Sequence, residues 1–88
     1  MKVAFRKSFQ RDLRAITDKR LLKRVKEVIE AVEMTDSLAL LPNLKSLKGT
    51  RDYFRLRVGD YRVGLVIQQE TVVFVRILNR KDIYRYFP

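Results

Sequence analysis

From Tyr53 to Leu78 apolar and polar positions alternate with a period of two, the pattern of strands with one face in a core. Two-residue breaks at Gly59-Asp60 and Gln69-Glu70 divide the stretch into three strands, Tyr53–Val58, Tyr61–Gln68 and Thr71–Leu78, joined as two hairpins. Upstream the period lengthens. Phe9, Leu13 and Ile16 fall at i, i+4 and i+7, which predicts a first helix with Ser8 as a plausible N-cap. Leu21, Leu22, Val25, Val28, Ile29 and Val32 predict a second helix, capped by Thr17-Asp18. Val3 and Phe5 share one face of a short strand over Lys2 to Arg6. Residues 35–47 hold five leucines broken by Pro42-Asn43 and read as an irregular, partly buried connection with one helical turn; Lys48 to Asp52 reads as a turn. The expected fold is α+β: an N-terminal strand and a helical hairpin packed on one face of an antiparallel β-sheet, in a single domain over residues 1–88.

Composition narrows what such a domain can do. Its 88 residues are 47% hydrophobic, enough for a core and too much for a disordered tail. The chain has no cysteine and no histidine. This excludes disulfides, thiolate and imidazole metal sites, and serine–histidine or cysteine–histidine catalysis. The acids Asp52, Asp60, Glu70 and Asp82 are scattered, so neither a metal nor any other cofactor is implied. The start of the chain has charge but no apolar stretch of leader type behind it, and runs such as Leu65-Val66-Ile67 are far too short to span a bilayer. The expected setting is the cytoplasm, with no membrane partner.

Twenty lysines and arginines against ten acids give a net charge of +10, which points to a polyanion, most often nucleic acid. Residues 1–44 carry ten bases and six acids, and residues 45–88 carry ten bases and four. In the second half the charge has a direction. With Gly59-Asp60 as the turn, Arg57 faces Arg62, and Arg55 joins them on the face opposite Phe54, Leu56, Val63 and Leu65. Like charges directly across a sheet are destabilising, and no acid is interleaved among these three. Guanidinium forks bind phosphate oxygens in pairs, so the cluster reads as a phosphate site, with Gly64 beside it leaving room for a ligand. The alternative is a solvated hairpin face.

At the chain end Arg80, Lys81 and Arg85 are interleaved with Tyr84, Tyr86 and Phe87, which suits backbone contacts plus base stacking. Packing of Ile83, Tyr84 and Phe87 onto the sheet is the competing use of those residues. Arg76 fits poorly, because strict alternation puts it on the core side with Phe74 and Leu78; either the register differs there or Arg76 sits at the rim. On the second helix Lys19, Arg20, Lys23, Arg24 and Lys26 form a basic face. Bases lie early and acids late, against the helix dipole, so support is expected from pairs such as Lys23–Glu27 and Lys26–Glu30.

The ordered set Leu47-Lys48-Gly49, Tyr53 to Val63 with its R-L-R-V-G-D-Y-R core, Val72 to Val75, and Asn79-Arg80-Lys81-Asp82-Ile83-Tyr84 resembles the RelE/ParE toxin superfamily over nearly the whole chain. The resemblance implies a RelE-like fold and the toxin of a type II toxin–antitoxin pair. RelE-like members cut mRNA in the ribosomal A site, whereas ParE-like members poison DNA gyrase. The basic set and the terminal tyrosines look more like the RelE branch. The resemblance implies catalytic roles for Arg55, Arg57, Arg62 and Arg80, and for Tyr84 or Tyr86. Lys48, Arg51, Lys81, Arg85, Lys19, Lys23 and Lys26 are then candidate RNA contacts, with Lys48 and Lys81 also candidates for proton transfer. The implied partners are a cognate acidic RelB-like antitoxin in a hetero-oligomer, the 30S A site and mRNA. Some members carry lysine where this chain has Arg55 and Arg57; arginine keeps its proton, so neither can be a general base. Others use a glutamate before the first hairpin with a C-terminal histidine. Residues 38–49 hold no acid and the chain has no histidine, so that route is closed. The expected reaction is a metal-independent transesterification. The 2′-OH attacks the adjacent phosphate and the 5′-oxygen leaves, with arginines stabilising the charge. The alternatives are a gyrase inhibitor and a non-catalytic basic RNA-binding module.

Overall fold

In chain order the computed structural model, which describes residues 1–88, contains β1 (Lys2–Phe5), α1 (Lys7–Arg14), α2 (Lys19–Met34), a 3-10 turn (Leu38–Leu40), β2 (Leu44–Ser46), β3 (Tyr53–Val58), β4 (Tyr61–Gln68), β5 (Thr71–Asn79) and α3 (Ile83–Tyr86). The two hairpins form as expected. Gly59 turns at φ +60°, and Gln69 and Glu70 both take left-handed backbone, as a tight two-residue connection demands. The pairing of Leu56 with Val63, Arg57 with Arg62 and Val58 with Tyr61 is the register read from the sequence.

The sheet runs β1-β5-β4-β3-β2 and is mixed, because β1 pairs parallel to β5 at one edge. The helices α1 and α2 cover one face. Phe9, Leu21, Val25 and Val32 join Leu56, Val58, Val63, Leu65, Phe74 and Ile77 in one core. The α+β architecture therefore stands, with the meander widened by two edge strands. One of these, β2, lies inside the stretch read as irregular; its three residues are too short to show an alternation. No helix is long and apolar enough to cross a membrane.

Local expectations divide. Asp18 caps α2 by accepting from the amides of Arg20 (2.9 Å) and Leu21 (3.2 Å). Ser8 is not the cap of α1. That position belongs to Arg6, while the Ser8 hydroxyl donates to the Val75 carbonyl (2.6 Å) and ties α1 to β5. The pairs Lys23–Glu27 and Lys26–Glu30 do not form. Long exposed side chains gain little from such pairing, and α2 rests on its cap and its buried face.

The single ion pair joins Asp12 on α1 to Arg76 on β5. Arg76 Nε and Nη2 donate to the carboxylate at 2.7 and 3.0 Å, and the Ile77 amide donates to it at 3.1 Å. Since β1 ends opposite Phe74, Asp12 covers the open edge of β5 just beyond. Its hydrogen bond raises the Arg76 pKa above the usual arginine value, against the opposing pull of burial. A raised base stabilises the fold below its unfolded pKa and loses that contribution only as pH climbs through the folded one. For an arginine this loss lies beyond the neutral range. Asp12→Ala is expected to lower stability by about 2 kcal/mol, since it strands a half-buried guanidinium and an amide. Chemical denaturation reads the effect; a loss below about 0.5 kcal/mol would rank the bridge with ordinary surface pairs.

Candidate functional site

Arg76 explains the geometry of the opposite face. A bulge at Val75 shifts the β4–β5 register, so that Leu65 pairs with Phe74 but Gly64 pairs with Arg76. Strict alternation would have sent Arg76 into the core with Phe74. The bulge puts it instead in the row Lys45–Arg55–Gly64–Arg76, next to the row Arg57–Arg62–Leu78. Ile77 takes the core position that alternation would have given to its neighbours, and is 1% exposed.

The chain end folds back over this face. Leu47, Ile83 and Phe87 form a second small core with Tyr53, Val75 and Leu78 around it. Of the terminal residues, Ile83 and Phe87 do the packing, and Tyr84 and Tyr86 stay exposed. The space beside Gly64 is not open to a ligand, contrary to the sequence reading. A Cβ there would meet the Phe87 ring at 2.7 Å, so the missing side chain makes room for Phe87.

With Phe87 seated, Tyr84 stands at the edge of a cavity of about 420 Å³ lined by Arg55, Arg57, Arg62, Asn43, Leu44 and Lys45. The Arg55 guanidinium lies 4.3 Å from the centre of the Tyr84 ring. Arg62 Nη1 donates to the carbonyls of Gly59 and Tyr61, both at 3.0 Å. The hairpin thus fixes its guanidinium while leaving other donors free. Asn43, at φ +65°, accepts from Arg57 twice, through its backbone carbonyl from the amide and through Oδ1 from Nη2, each at 3.0 Å. None of the cavity cations is ion-paired. The arrangement offers a dense fork of donors to an anion, with one aromatic ring beside it.

Arg80 does not line that cavity. It lines a neighbouring one together with Arg24, Arg57 and Arg62, and its amide donates to the Asp60 carbonyl (2.8 Å). Tyr86 also lies outside, over the Arg76 guanidinium at 5.6 Å. Lys48 and Arg51 are exposed on the turn before β3, Lys81 and Arg85 around α3, and Lys19, Lys23 and Lys26 along α2; none of these seven lines either cavity. Sequence reasoning missed Asn43 and Lys45. Asparagine after proline is a usable turn signal, since it tolerates left-handed backbone. Lys45 had none, because its strand was not visible.

Elsewhere an apolar cleft of about 470 Å³ opens between Leu38, Leu41, Leu44, Phe54 and Ile67, with Leu40 exposed nearby in the chain.

A family model described as the ParE toxin of type II toxin–antitoxin systems matches residues 3–84. The chain is 43% identical to Toxin RelE3 of Methanocaldococcus jannaschii over 89 aligned positions, covering 100% of both chains. Among solved structures it is similar to the toxin in the RelB–RelE antitoxin–toxin complex from Methanococcus jannaschii, with a TM-score of 0.82, 40% identity, and 97% and 99% of the two chains covered. The archaeal RelE–RelB complex from Pyrococcus horikoshii gives a TM-score of 0.73 at 23% identity, over 90% and 93% of the chains, a likeness of fold.

Proposed function

The chain belongs to the RelE family of type II toxin–antitoxin toxins, and from that premise we propose that it is a metal-independent endoribonuclease that cuts mRNA in the ribosomal A site. The observation that carries the reading is the convergence of Arg55, Arg57 and Arg62, without a counter-ion, beneath the exposed ring of Tyr84. In the proposed reaction the ribose 2′-oxygen attacks the adjacent phosphorus and the bond to the 5′-oxygen breaks. This leaves a 2′,3′-cyclic phosphate and a 5′-hydroxyl; the 2′-OH proton is lost and the 5′-oxygen gains one. Arg57 and Arg62 stabilise the charge that grows on the phosphorane oxygens. Arg55 holds the backbone. The Tyr84 ring stacks on a nucleotide and sets the attack geometry, its phenol being the group at hand for the 2′-OH proton. In both solved complexes the toxin is paired with RelB. Together with the apolar cleft and the +10 charge, that supports an acidic antitoxin as this chain's partner.

The test is brief expression followed by primer extension on an abundant mRNA, with a nucleoid-damage stain in parallel. Wild type is expected to give new in-frame 5′ ends. Tyr84→Ala should weaken them roughly 10- to 100-fold, the worth of one stacking contact. Tyr86→Ala, whose ring lies outside the cavity, should stay within about threefold. The ParE description of the family model favours a second reading, gyrase poisoning. Intact mRNA with a damage response would select it and overturn the nuclease. Equal effects at the two tyrosines would overturn the assignment of Tyr84.

A further inference from the structure

Next to the Tyr84 cavity, and sharing Arg57, Arg62 and Asn43 with it, is a second cavity of about 410 Å³. No hydrophobic residue lines it. Arg24 and Arg80 complete its set of four guanidinium groups, and none of the four is ion-paired. Asp60, the one carboxylate at its rim, pairs with none of them. We infer that this cavity is a second phosphate site, which holds the phosphodiester next to the one seated under Tyr84. The inference rests on the RNA reading above for its substrate and deepens it: the protein grips two consecutive phosphates of one strand.

Three observations carry the inference. A wall of guanidinium, amide and backbone groups matches phosphate oxygens, whereas the neighbouring cavity adds apolar Leu44 and the Tyr84 ring on which a base can stack. The polar cavity therefore suits backbone and the mixed one suits a nucleotide, the two parts of a single-strand groove. Arg57 and Arg62 belong to both cavities, so a strand that fills one is delivered to the other. Arg24 also reaches the hairpin turn: its Nη1 lies 3.0 Å from where a side chain on Gly59 would begin. Gly59 has two roles here, the left-handed turn and the space for Arg24. Four like charges held together repel one another, and a bound dianionic stretch of backbone relieves that repulsion.

The test is binding, not cleavage. The purified full chain is titrated with 2′-O-methyl oligoribonucleotides, which lack the attacking hydroxyl. One is a dinucleotide with a single phosphodiester and one a trinucleotide with two. Wild type is expected to bind the trinucleotide about tenfold more tightly. Arg24→Gln should remove most of that advantage, lower the trinucleotide salt slope by about 0.7, and leave the dinucleotide within twofold. Gly59→Asn keeps the turn, since asparagine tolerates left-handed backbone, and pushes Arg24 aside at unchanged net charge. It should cost the trinucleotide as much. Arg14→Gln on α1, outside both cavities, sets the effect of one charge anywhere. Equal losses for Arg14→Gln and Arg24→Gln, or equal losses for the two oligonucleotides, would overturn the site. So would a wild type that does not prefer the trinucleotide. Retained preference in a protein that leaves mRNA intact would keep this site and sink the nuclease reading.

Discussion

Arg62→Ala is expected to lower mRNA cleavage by about 10²- to 10³-fold, the loss seen when one preorganised donor to a developing oxyanion is removed. Arg62 is the side chain best placed for that role. Both cavities share it, and its guanidinium is fixed by two carbonyls of its own hairpin. No reorganisation is then needed when charge moves onto the phosphorane. The same substitution should leave stability within about 0.5 kcal/mol of wild type, or raise it. Arg62 pairs directly across the sheet with Arg57, and removing one of two opposed like charges relieves repulsion. Loss of function without loss of fold marks a residue retained for its ligand. Arg62→Lys should recover little, because an ammonium cannot reproduce the planar fork. Quantitative 5′-end mapping beside thermal unfolding checks all three statements. A variant that cleaves at the parental rate would remove Arg62 from the mechanism; one that cleaves poorly because it unfolds would make it structural.

That Arg57 faces Arg62 was legible because it depends on one local fact. A two-residue turn at Gly59-Asp60 fixes the register of the hairpin, and the register fixes the faces. The helical stripe of Leu21, Val25 and Val32 was legible for the same kind of reason. What could not be read depends on contacts distant in sequence. A bulge at Val75 shows in Val-Phe-Val-Arg-Ile only as the misfit of Arg76 in the alternation, which does not say where the shift falls, yet it decides which face Arg76 and Ile77 occupy. The strand at Leu44–Ser46 exists because β3 offers it an edge. Ser8 had the right chemistry for a cap, but β5 offered its hydroxyl a carbonyl instead. The two tyrosines are separable only in three dimensions. One turn of helix, seated by Ile83 and Phe87, sends Tyr84 over Arg55 and Tyr86 over Arg76.

That seat makes Gly64→Ala the substitution with the largest expected effect outside the charged groups. The added Cβ would lie 2.7 to 2.8 Å from three atoms of the Phe87 ring, closer than real contacts allow. Backbone in the middle of β4 cannot yield, so the ring must. Overpacking of this kind costs about 1–3 kcal/mol, and Phe87, 4% exposed, gives up its burial if it leaves. Function should fall with it, because Tyr84 reaches Arg55 only while α3 is seated. Cleavage is expected to drop at least as far as in Tyr84→Ala, although no cation has been touched. The double variant Gly64→Ala/Phe87→Leu separates the causes. A smaller side chain makes room for the methyl, so the double should be more stable than the sum of the single effects implies. Cleavage should return in step with stability. If Gly64 instead lined space for RNA, shrinking residue 87 would restore nothing. Denaturant unfolding and 5′-end mapping of the four proteins distinguish the two cases. Recovery in the double variant would make the C-terminal aromatic seat, as much as the arginines, the element that assembles the cavity.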